Sequence, residues 1–142
     1  MPWKKILVPV KGTSVDPDVV RLAITIGHRS KSEITAIHVI EVRWNLPLDA
    51  QLDEELDRGE ELLADASRVA EQSGGAMKTE LLQAREAAAA IVDTARSQQT
   101  DLILLGMPYR TRLGKVYVGR TVQDVYVTAP CAVLAYREPQ PS

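Results

Sequence analysis

The sequence predicts one doubly wound α/β domain, an open sheet of five parallel strands in the order 3-2-1-4-5 with helices on both faces. Three observations favour this fold. Short apolar, often β-branched runs alternate with amphipathic segments of helical period, their connections are short, and no linker or repeat divides the 142 residues. Right-handed crossovers leave few topologies for such a pattern. Residues 1–137 are expected to form the domain and residues 138–142 a loose tail.

The first strand and helix are predicted from residues 6–28. Residues 6–10 (ILVPV) are typical of a parallel strand buried on both faces. Pro9 cannot donate to a ladder, so it should lie where the strand ends or where its nitrogen faces no neighbour. Asp16 is the predicted N-cap, and Pro17 takes the first helical position. Apolar residues at helical spacing then continue to about His28, near a helix C-terminus where its charge is favourable.

The second strand and helix occupy the next part of the chain. Residues 34–42 (ITAIHVIEV) form another buried run, and His38 within it is interpreted as a hydrogen-bonded residue rather than a base. A long amphipathic helix follows, with its apolar stripe between Leu52 and Ala70. Its opposite face is acidic and is interpreted as solvated. The pair Gly74-Gly75 ends this helix.

Three further strands and two helices complete the predicted sheet. Residues 77–82 alternate and then become apolar, which indicates a third strand near an edge, and residues 86–98 form a third helix. Residues 102–105 form the fourth strand, which breaks at Gly106, and helical periodicity returns at about Val118. Residues 131–136 (CAVLAY) form the fifth strand.

The loop between the fourth strand and the fourth helix has the composition of an anion site. No acidic residue occurs from Leu102 to Gln123, and the loop carries four cations. Glycines punctuate this loop, and it ends at a helix N-terminus, where free N–H groups and the helix dipole favour an anion. The alternative is a solvated basic loop. The cations are Arg110, Arg112, Lys115 and Arg120.

The predicted topology brings this loop beside the turn that follows the first strand. In a sheet of order 3-2-1-4-5, strands one and four are neighbours where the winding reverses, and ligands bind beyond the carboxyl ends of strands at that point. We therefore expect a crevice that takes a small anion. The candidate ligand-binding residues are Pro9, Lys11, Gly12, Thr13, Ser14, Val39, Gly106, Tyr109, Arg110, Gly119, Arg120 and Thr121.

Composition and missing motifs narrow the function classes. A formal net charge of −2 and an aromatic content of 4% argue against a nucleic-acid partner. The sequence shows neither a signal-peptide pattern nor a long apolar span, so we expect a cytoplasmic protein with no membrane partner. It also lacks a Gly-x-Ser-x-Gly elbow, a full Walker loop and metal-ligand spacing, so we expect no enzyme, no catalytic residue and no metal.

The fifth strand predicts a homodimer. Residues 131–136 carry no charge, yet the fifth strand lies at an edge of the predicted sheet, where unpaired backbone groups invite another chain. A two-fold axis pairs such an edge antiparallel with its own copy. The expected interface residues are Cys131, Val133, Leu134, Ala135 and Tyr136.

At four segments the sequence resembles the universal stress protein family, and the resemblance covers nearly the whole chain. The segments are KKILVPVKGTS, AITIGHRSKSEITAIHVIE, DLILLGMPYRTRLGKVYVGRTV and TAPCAVLAYRE. The resemblance implies a Rossmann-like sheet of the adenine-nucleotide alpha-hydrolase type. It also implies a dimer whose last strands pair antiparallel.

The resemblance further implies a nucleotide motif, which this chain carries only in part. The ATP-binding branch of the family has Gly-x2-Gly-x9-Gly followed by Ser or Thr, where Gly106 and Gly119 match the first and third glycines. Tyr109 replaces the second glycine, Arg120 replaces the hydroxyl, and Lys11 stands where the family usually has an acid. Two hypotheses follow: a regulatory dimer that binds ATP, another adenine nucleotide or another anion, and a ligand-free dimer that acts through protein contacts. A slow ATP hydrolase is a third.

Overall fold

The structure is a computed structural model that describes residues 3–141. Helices and strands alternate along the chain, with one short hairpin after the fourth strand. In chain order the elements are β1 (Lys5–Pro9), α1 (Asp16–Gly27), β2 (Glu33–Glu41), α2 (Asp53–Gln72), β3 (Lys78–Ala84), α3 (Ala87–Ser97), β4 (Leu102–Met107), β5 (Thr111–Arg112), β6 (Lys115–Val116), α4 (Arg120–Thr128) and β7 (Ala132–Arg137).

Five strands form one parallel sheet in the order β3-β2-β1-β4-β7. Because β7 is the fifth strand of this sheet along the chain, the predicted order 3-2-1-4-5 is confirmed. The remaining strands, β5 and β6, pair antiparallel with each other as a separate hairpin. No helix within residues 3–141 is both long and apolar enough to cross a membrane.

The pairing of β1 changes along its length. Against β2 the register runs from Lys5 to Pro9, and the Val10 N–H continues it by donating to the Ile37 carbonyl at 2.9 Å. Against β4 the register contains only Ile6↔Leu102 and Leu7↔Ile103. The two central strands therefore separate toward their carboxyl ends. Since successive N–H groups of a strand alternate in direction, the missing N–H of Pro9 falls on the side where β4 has moved away.

The core consists of two apolar clusters, one on each face of the sheet. Ile6 and Val8 pack in the cluster beneath α1 and α2, while Leu7 packs in the cluster beneath α3 and α4. All three side chains are at most 2% exposed, as expected for a parallel strand covered on both faces. Each such side chain contributes about 1.5–3 kcal/mol relative to leaving it in water. This central strand therefore fixes the position of the crevice loops that follow it.

The segment from β4 to α4 differs from the sequence prediction in three ways. The strand does not break at Gly106 but continues to Met107, and helix α4 begins at Arg120 rather than near Val118. Between them lies the β5–β6 hairpin, which was not predicted. Its turn is formed by Leu113 and Gly114, both with positive φ. A leucine is an unusual residue for that conformation, so no recognisable turn signal precedes Gly114.

Gly106 is required by packing beneath α1 rather than by a turn. A Cβ at this position would lie 2.6 Å from Val19 Cγ2 and 2.9 Å from Val15 Cγ1. These distances are shorter than van der Waals contact, and both valines are buried. The glycine therefore lets α1 approach the sheet next to the crevice.

We expect Gly106→Ala to lower the free energy of unfolding by about 1–3 kcal/mol, because the added methyl overpacks a closely packed site. Urea unfolding would measure the change. Gly119→Ala is the matched control, since a Cβ there would meet no atom of residues 3–141 within 4 Å and its φ of −61° is ordinary. The control should change the free energy of unfolding by less than about 0.5 kcal/mol. Alanine is a poorer N-cap than glycine, which destabilises the folded chain, but it also makes the unfolded chain less flexible, which favours folding. Equal losses in both variants would contradict the packing account.

Candidate functional site

A crevice of about 80 Å³ opens between the carboxyl ends of β1 and β4, where those strands separate. It lies at the predicted switch point, between the loop after β1 and the segment from β4 to α4. Seven of the predicted ligand-binding residues line it, together with six that sequence reasoning did not select. The predicted residues are Pro9, Lys11, Thr13, Gly106, Arg110, Gly119 and Thr121. The others are Asp16, Leu105, Met107, Pro108, Tyr117 and Val122.

Three of the remaining predicted residues lie away from this wall. Gly12 adopts a φ of +85° and faces Leu62 of α2, so it serves the turn. Val39 lies in β2 and packs against the core cluster beneath α3 and α4. Arg120 has a side chain that is 93% exposed, and its Nε lies 3.7 Å from Asp124 Oδ2, one turn further along α4. The predicted Ser14 and Tyr109 flank the crevice and both contact Glu138.

Asp16 organises the loop after β1 instead of capping α1. The helix begins at Asp16 itself, and Val15 holds the N-cap position without a side-chain hydrogen bond. The Asp16 carboxylate turns back to accept hydrogen bonds from the Gly12 N–H at 2.7 Å, the Lys11 N–H at 3.2 Å and the Thr13 hydroxyl at 3.4 Å. The predicted N-cap role of Asp16 is therefore wrong, because the loop N–H groups before the helix reach the carboxylate first.

Burial sets the protonation behaviour of this carboxylate. It raises the pKa of Asp16 above its ordinary value, and the hydrogen bonds from Gly12, Lys11 and Thr13 oppose the rise. A raised pKa means that the unfolded chain releases this proton at lower pH than the folded chain. Asp16 therefore lowers folding stability as the pH rises from about 3.8 through its folded pKa, and its contribution is constant above that range.

Lys11 and Arg110 make the crevice cationic. Desolvation lowers the pKa of Lys11, and the nearby charge of Arg110 adds to that effect, while Glu41 and Asp16 oppose it. The acidic Glu41 and Asp16 offset the repulsion between these two cations. A bound anion would raise the pKa of Lys11 again. The electrostatics therefore favour a ligand with negative charge.

The β5–β6 hairpin and the start of α4 form the other wall. Tyr117 lines the crevice, its N–H donates to the Arg110 carbonyl at 3.2 Å, and the Arg112 guanidinium carbon lies 4.7 Å from the centre of its ring. Helix α4 begins beside Gly119 without a side-chain cap. Its first N–H groups, which lack partners within the helix, therefore border the crevice close to Thr121.

Asp16, Tyr117 and Glu138 are three polar residues at or beside the crevice that sequence reasoning did not select. Asp16 was interpreted as a helix cap, and the hairpin that carries Tyr117 has no alternating pattern. Glu138 was placed in the loose tail, yet its N–H donates to the Met107 carbonyl at 2.9 Å and extends the ladder between β4 and β7. The one available signal for Glu138 was its place in the sequence. A residue directly after a parallel strand lies at the same end of the sheet as the crevice loops.

Comparison with known proteins gives the family. The family model described as universal stress protein family matches residues 2–137. The chain belongs to the universal stress protein family. A relative, universal stress protein MJ0531 of Methanocaldococcus jannaschii, is 31% identical over 144 residues, which cover 97% of this chain and 84% of the relative.

Solved structures of family members share the fold. Universal stress protein UspA from Lactobacillus plantarum is 31% identical, with a TM-score of 0.76 over 96% of this chain and 99% of that one. A universal stress protein from Archaeoglobus fulgidus in complex with dAMP is 22% identical, with a TM-score of 0.75 over 95% of this chain and 98% of that one. The family and the fold expected from the sequence are therefore confirmed.

We expect Asp16→Ala to lower the free energy of unfolding by about 1–2 kcal/mol, because the N–H groups of Lys11 and Gly12 lose their acceptor. Chemical denaturation at neutral pH would measure the loss. Asp18→Ala is the matched control in the same helical turn, because Asp18 makes only an exposed ion pair with Arg21 at 3.1 Å. Such a pair contributes at most about 1 kcal/mol. If the control costs as much as Asp16→Ala, the carboxylate does not hold the loop.

Proposed function

We propose that this universal stress protein is a non-enzymatic regulatory homodimer of the cytoplasm that binds an adenine nucleotide or a related anion in the crevice. The observation that carries the proposal is the convergence of Lys11, Arg110 and the uncapped start of α4 where β1 and β4 separate. Each of these groups favours negative charge. Thr13 and Thr121 add hydroxyl groups on opposite sides of the crevice.

The family supports an adenine nucleotide as the anion. The Archaeoglobus fulgidus protein with the same fold has been solved in complex with dAMP. Of the two glycines that match the family motif, Gly119 lines the crevice and is not required by packing. An apolar strip from Leu105, Met107 and Val122 lies beside the polar groups and suits the face of a base.

A ligand-free dimeric scaffold is the second candidate, and the altered motif favours it. Tyr109 brings a Cβ and a ring to the second glycine position, and Arg120 pairs with Asp124 where the family places a hydroxyl. The crevice of about 80 Å³ is also small for a whole nucleotide. If ATP, AMP and cyclic AMP all fail to give heat or a thermal shift at millimolar concentration, the scaffold function replaces the nucleotide function.

Slow ATP hydrolysis is a third candidate with less support. A hydrolase needs a base within hydrogen-bond reach of a water. Asp16 is the carboxylate among the residues that line the crevice, and loop N–H groups already occupy its oxygens. We therefore propose a binding role for this site rather than catalysis.

The edge of the sheet supports a homodimer. Strand β7 pairs with β4 on one side, so its other backbone edge is free in the monomer described by residues 3–141. Cys131 and Val133 pack against the core cluster beneath α3 and α4, and Tyr136 packs against the opposite cluster. Leu134 and Ala135 are exposed. Of the five residues expected at the interface, these two would contribute side chains and the others mainly backbone.

An apolar hollow next to β7 adds to this support. It is lined largely by apolar side chains of α4 and the adjoining strands, and Val127 is 81% exposed while Tyr126 is 62% exposed. An apolar surface beside a free strand edge is typical of a subunit interface. The lining residues are Met107, Val118, Val122, Gln123, Tyr126, Val127 and Ala135.

Arg110→Ala should weaken ATP binding by about tenfold, which corresponds to losing about 1.4 kcal/mol from one charged contact at a solvent-exposed rim. Titration calorimetry at fixed ionic strength would measure it. The matched control is Arg120→Ala, which removes the same charge from the same segment but from a side chain that faces Asp124. We expect less than about a twofold change for the control, because exposed charges are screened by salt. Equal effects would show that only net charge matters.

Val127→Asp should shift the protein from dimer to monomer, because it places a desolvated charge in the apolar hollow of the proposed interface. Sedimentation velocity would detect the change from twice 15.6 kDa to one subunit. Leu113→Asp is the control, since Leu113 is 98% exposed at the hairpin tip and does not line the hollow. A wild-type chain that is monomeric throughout the micromolar range would refute the dimer.

A further inference from the structure

Glu138 ties the two crevice loops together through its carboxylate. Its Oε1 accepts a hydrogen bond from the Tyr109 N–H at 2.9 Å, and its two oxygens accept from the Ser14 hydroxyl at 3.1 and 3.0 Å. Ser14 follows Thr13, and Tyr109 lies between Pro108 and Arg110. Those three neighbours line the crevice. The Glu138 carboxylate therefore lies at the rim of the crevice and accepts one hydrogen-bond donor from each of the two loops.

The tail that carries Glu138 is held by further contacts. The Glu138 N–H donates to the Met107 carbonyl at 2.9 Å, and Arg137 Nε donates to the Glu138 carbonyl at 3.2 Å. The Arg137 guanidinium carbon lies 5.2 Å from the centre of the Tyr109 ring. These contacts anchor the backbone after β7. The carboxylate is consequently held at high local concentration next to its two donors.

The two donors are neutral, and both suit any oxyanion. Backbone N–H and hydroxyl groups donate to phosphate oxygens as readily as to a carboxylate. No cation among residues 3–141 forms an ion pair with Glu138, so the bonds to Ser14 and Tyr109 are the ones that hold its charge. An incoming anion would therefore meet two occupied donors and an unneutralised negative charge.

We propose that Ser14 and Tyr109 form an oxyanion subsite at the crevice rim and that Glu138 occupies it as an internal competitor. The ligand class is a polyanion with phosphate-like oxygens, which must displace the Glu138 carboxylate to bind. The proposal rests on the proposed anion function of the crevice and adds a regulatory element to it. The affinity of the crevice is then set partly by the docking equilibrium of the tail.

The population argument gives the size of the effect. If the carboxylate is docked in about 90% of molecules, the apparent affinity for a competing anion is reduced about tenfold. Glu138→Ala removes both the charge and the acceptor, so it should raise the affinity by about tenfold. Glu138→Gln keeps a weaker acceptor without charge, so it should raise the affinity less, by about threefold. The order of the two variants in affinity distinguishes displacement of the carboxylate from a general effect of removing one negative charge.

The test uses tripolyphosphate as the probe, because it presents phosphate oxygens without an adenosine. Titration calorimetry on the full chain would compare wild type, Glu138→Gln and Glu138→Ala. Glu71→Gln is the matched control, since it removes the same charge from an exposed position near the end of α2 and should leave the affinity within about twofold. Hydrogen exchange at the Tyr109 amide, measured without ligand, gives a second readout, and Glu138→Ala should accelerate it.

Each outcome decides the inference. The proposal is supported if Glu138→Ala binds tripolyphosphate most tightly, Glu138→Gln less tightly and wild type least tightly, and if the Tyr109 amide exchanges faster in Glu138→Ala. Equal or weaker binding in the variants, no binding by any form, or unchanged Tyr109 exchange overturns it and leaves Glu138 as a structural tie. Parallel titrations with ATP keep the two proposals distinguishable. If wild type binds ATP and the variants bind no tighter, only the competitor fails, whereas a gain for tripolyphosphate without any ATP binding refutes only the nucleotide.

Discussion

The separation of β1 from β4 is the constraint on which the rest of the site depends. Two register pairs, Ile6↔Leu102 and Leu7↔Ile103, join the strands at their amino ends, after which each follows its other neighbour. Pro9 fits this divergence because its nitrogen has no proton to leave unpaired on the open side. A continuous ladder would have closed the sheet where the crevice now lies. The loops after both strands can therefore face one another across the gap.

Gly106 shows how packing and ligand access depend on the same residue. Its missing side chain admits Val19 of α1 and the N-cap residue Val15, and this brings the loop after β1 close to the end of β4. The carboxylate of Asp16 then fixes that loop through the N–H groups of Lys11 and Gly12. A glycine at this position is consequently required even without a ligand. Its presence alone is weak evidence for phosphate binding.

The fold was predictable from sequence to a greater extent than the site. Strand order followed from buried apolar runs such as residues 6–10 and 102–105, whose period and composition are local properties. Seven candidate residues were found because topology brings two known loops together. The positions of Asp16, Tyr117 and Glu138 depend on which donors lie nearest in space, and a linear pattern carries no such information. Arg120 was placed by motif alignment, but its partner Asp124 lies one turn away on the same helix.

The charges of the crevice bear on how an altered motif is compatible with the proposed anion site. Lys11 and Arg110 add positive charge to the crevice, and Lys11 stands where the family usually has an acid. Asp16 and Glu138 hold negative charge close to the same loops. The two carboxylates do not form close ion pairs with the two cations, because they accept hydrogen bonds from loop N–H and hydroxyl groups instead. An entering anion exchanges one set of partners for another. Selectivity would then depend on whether the ligand contacts the cations and displaces the internal carboxylate at the same time, which a polyphosphate can do and a monovalent ion cannot.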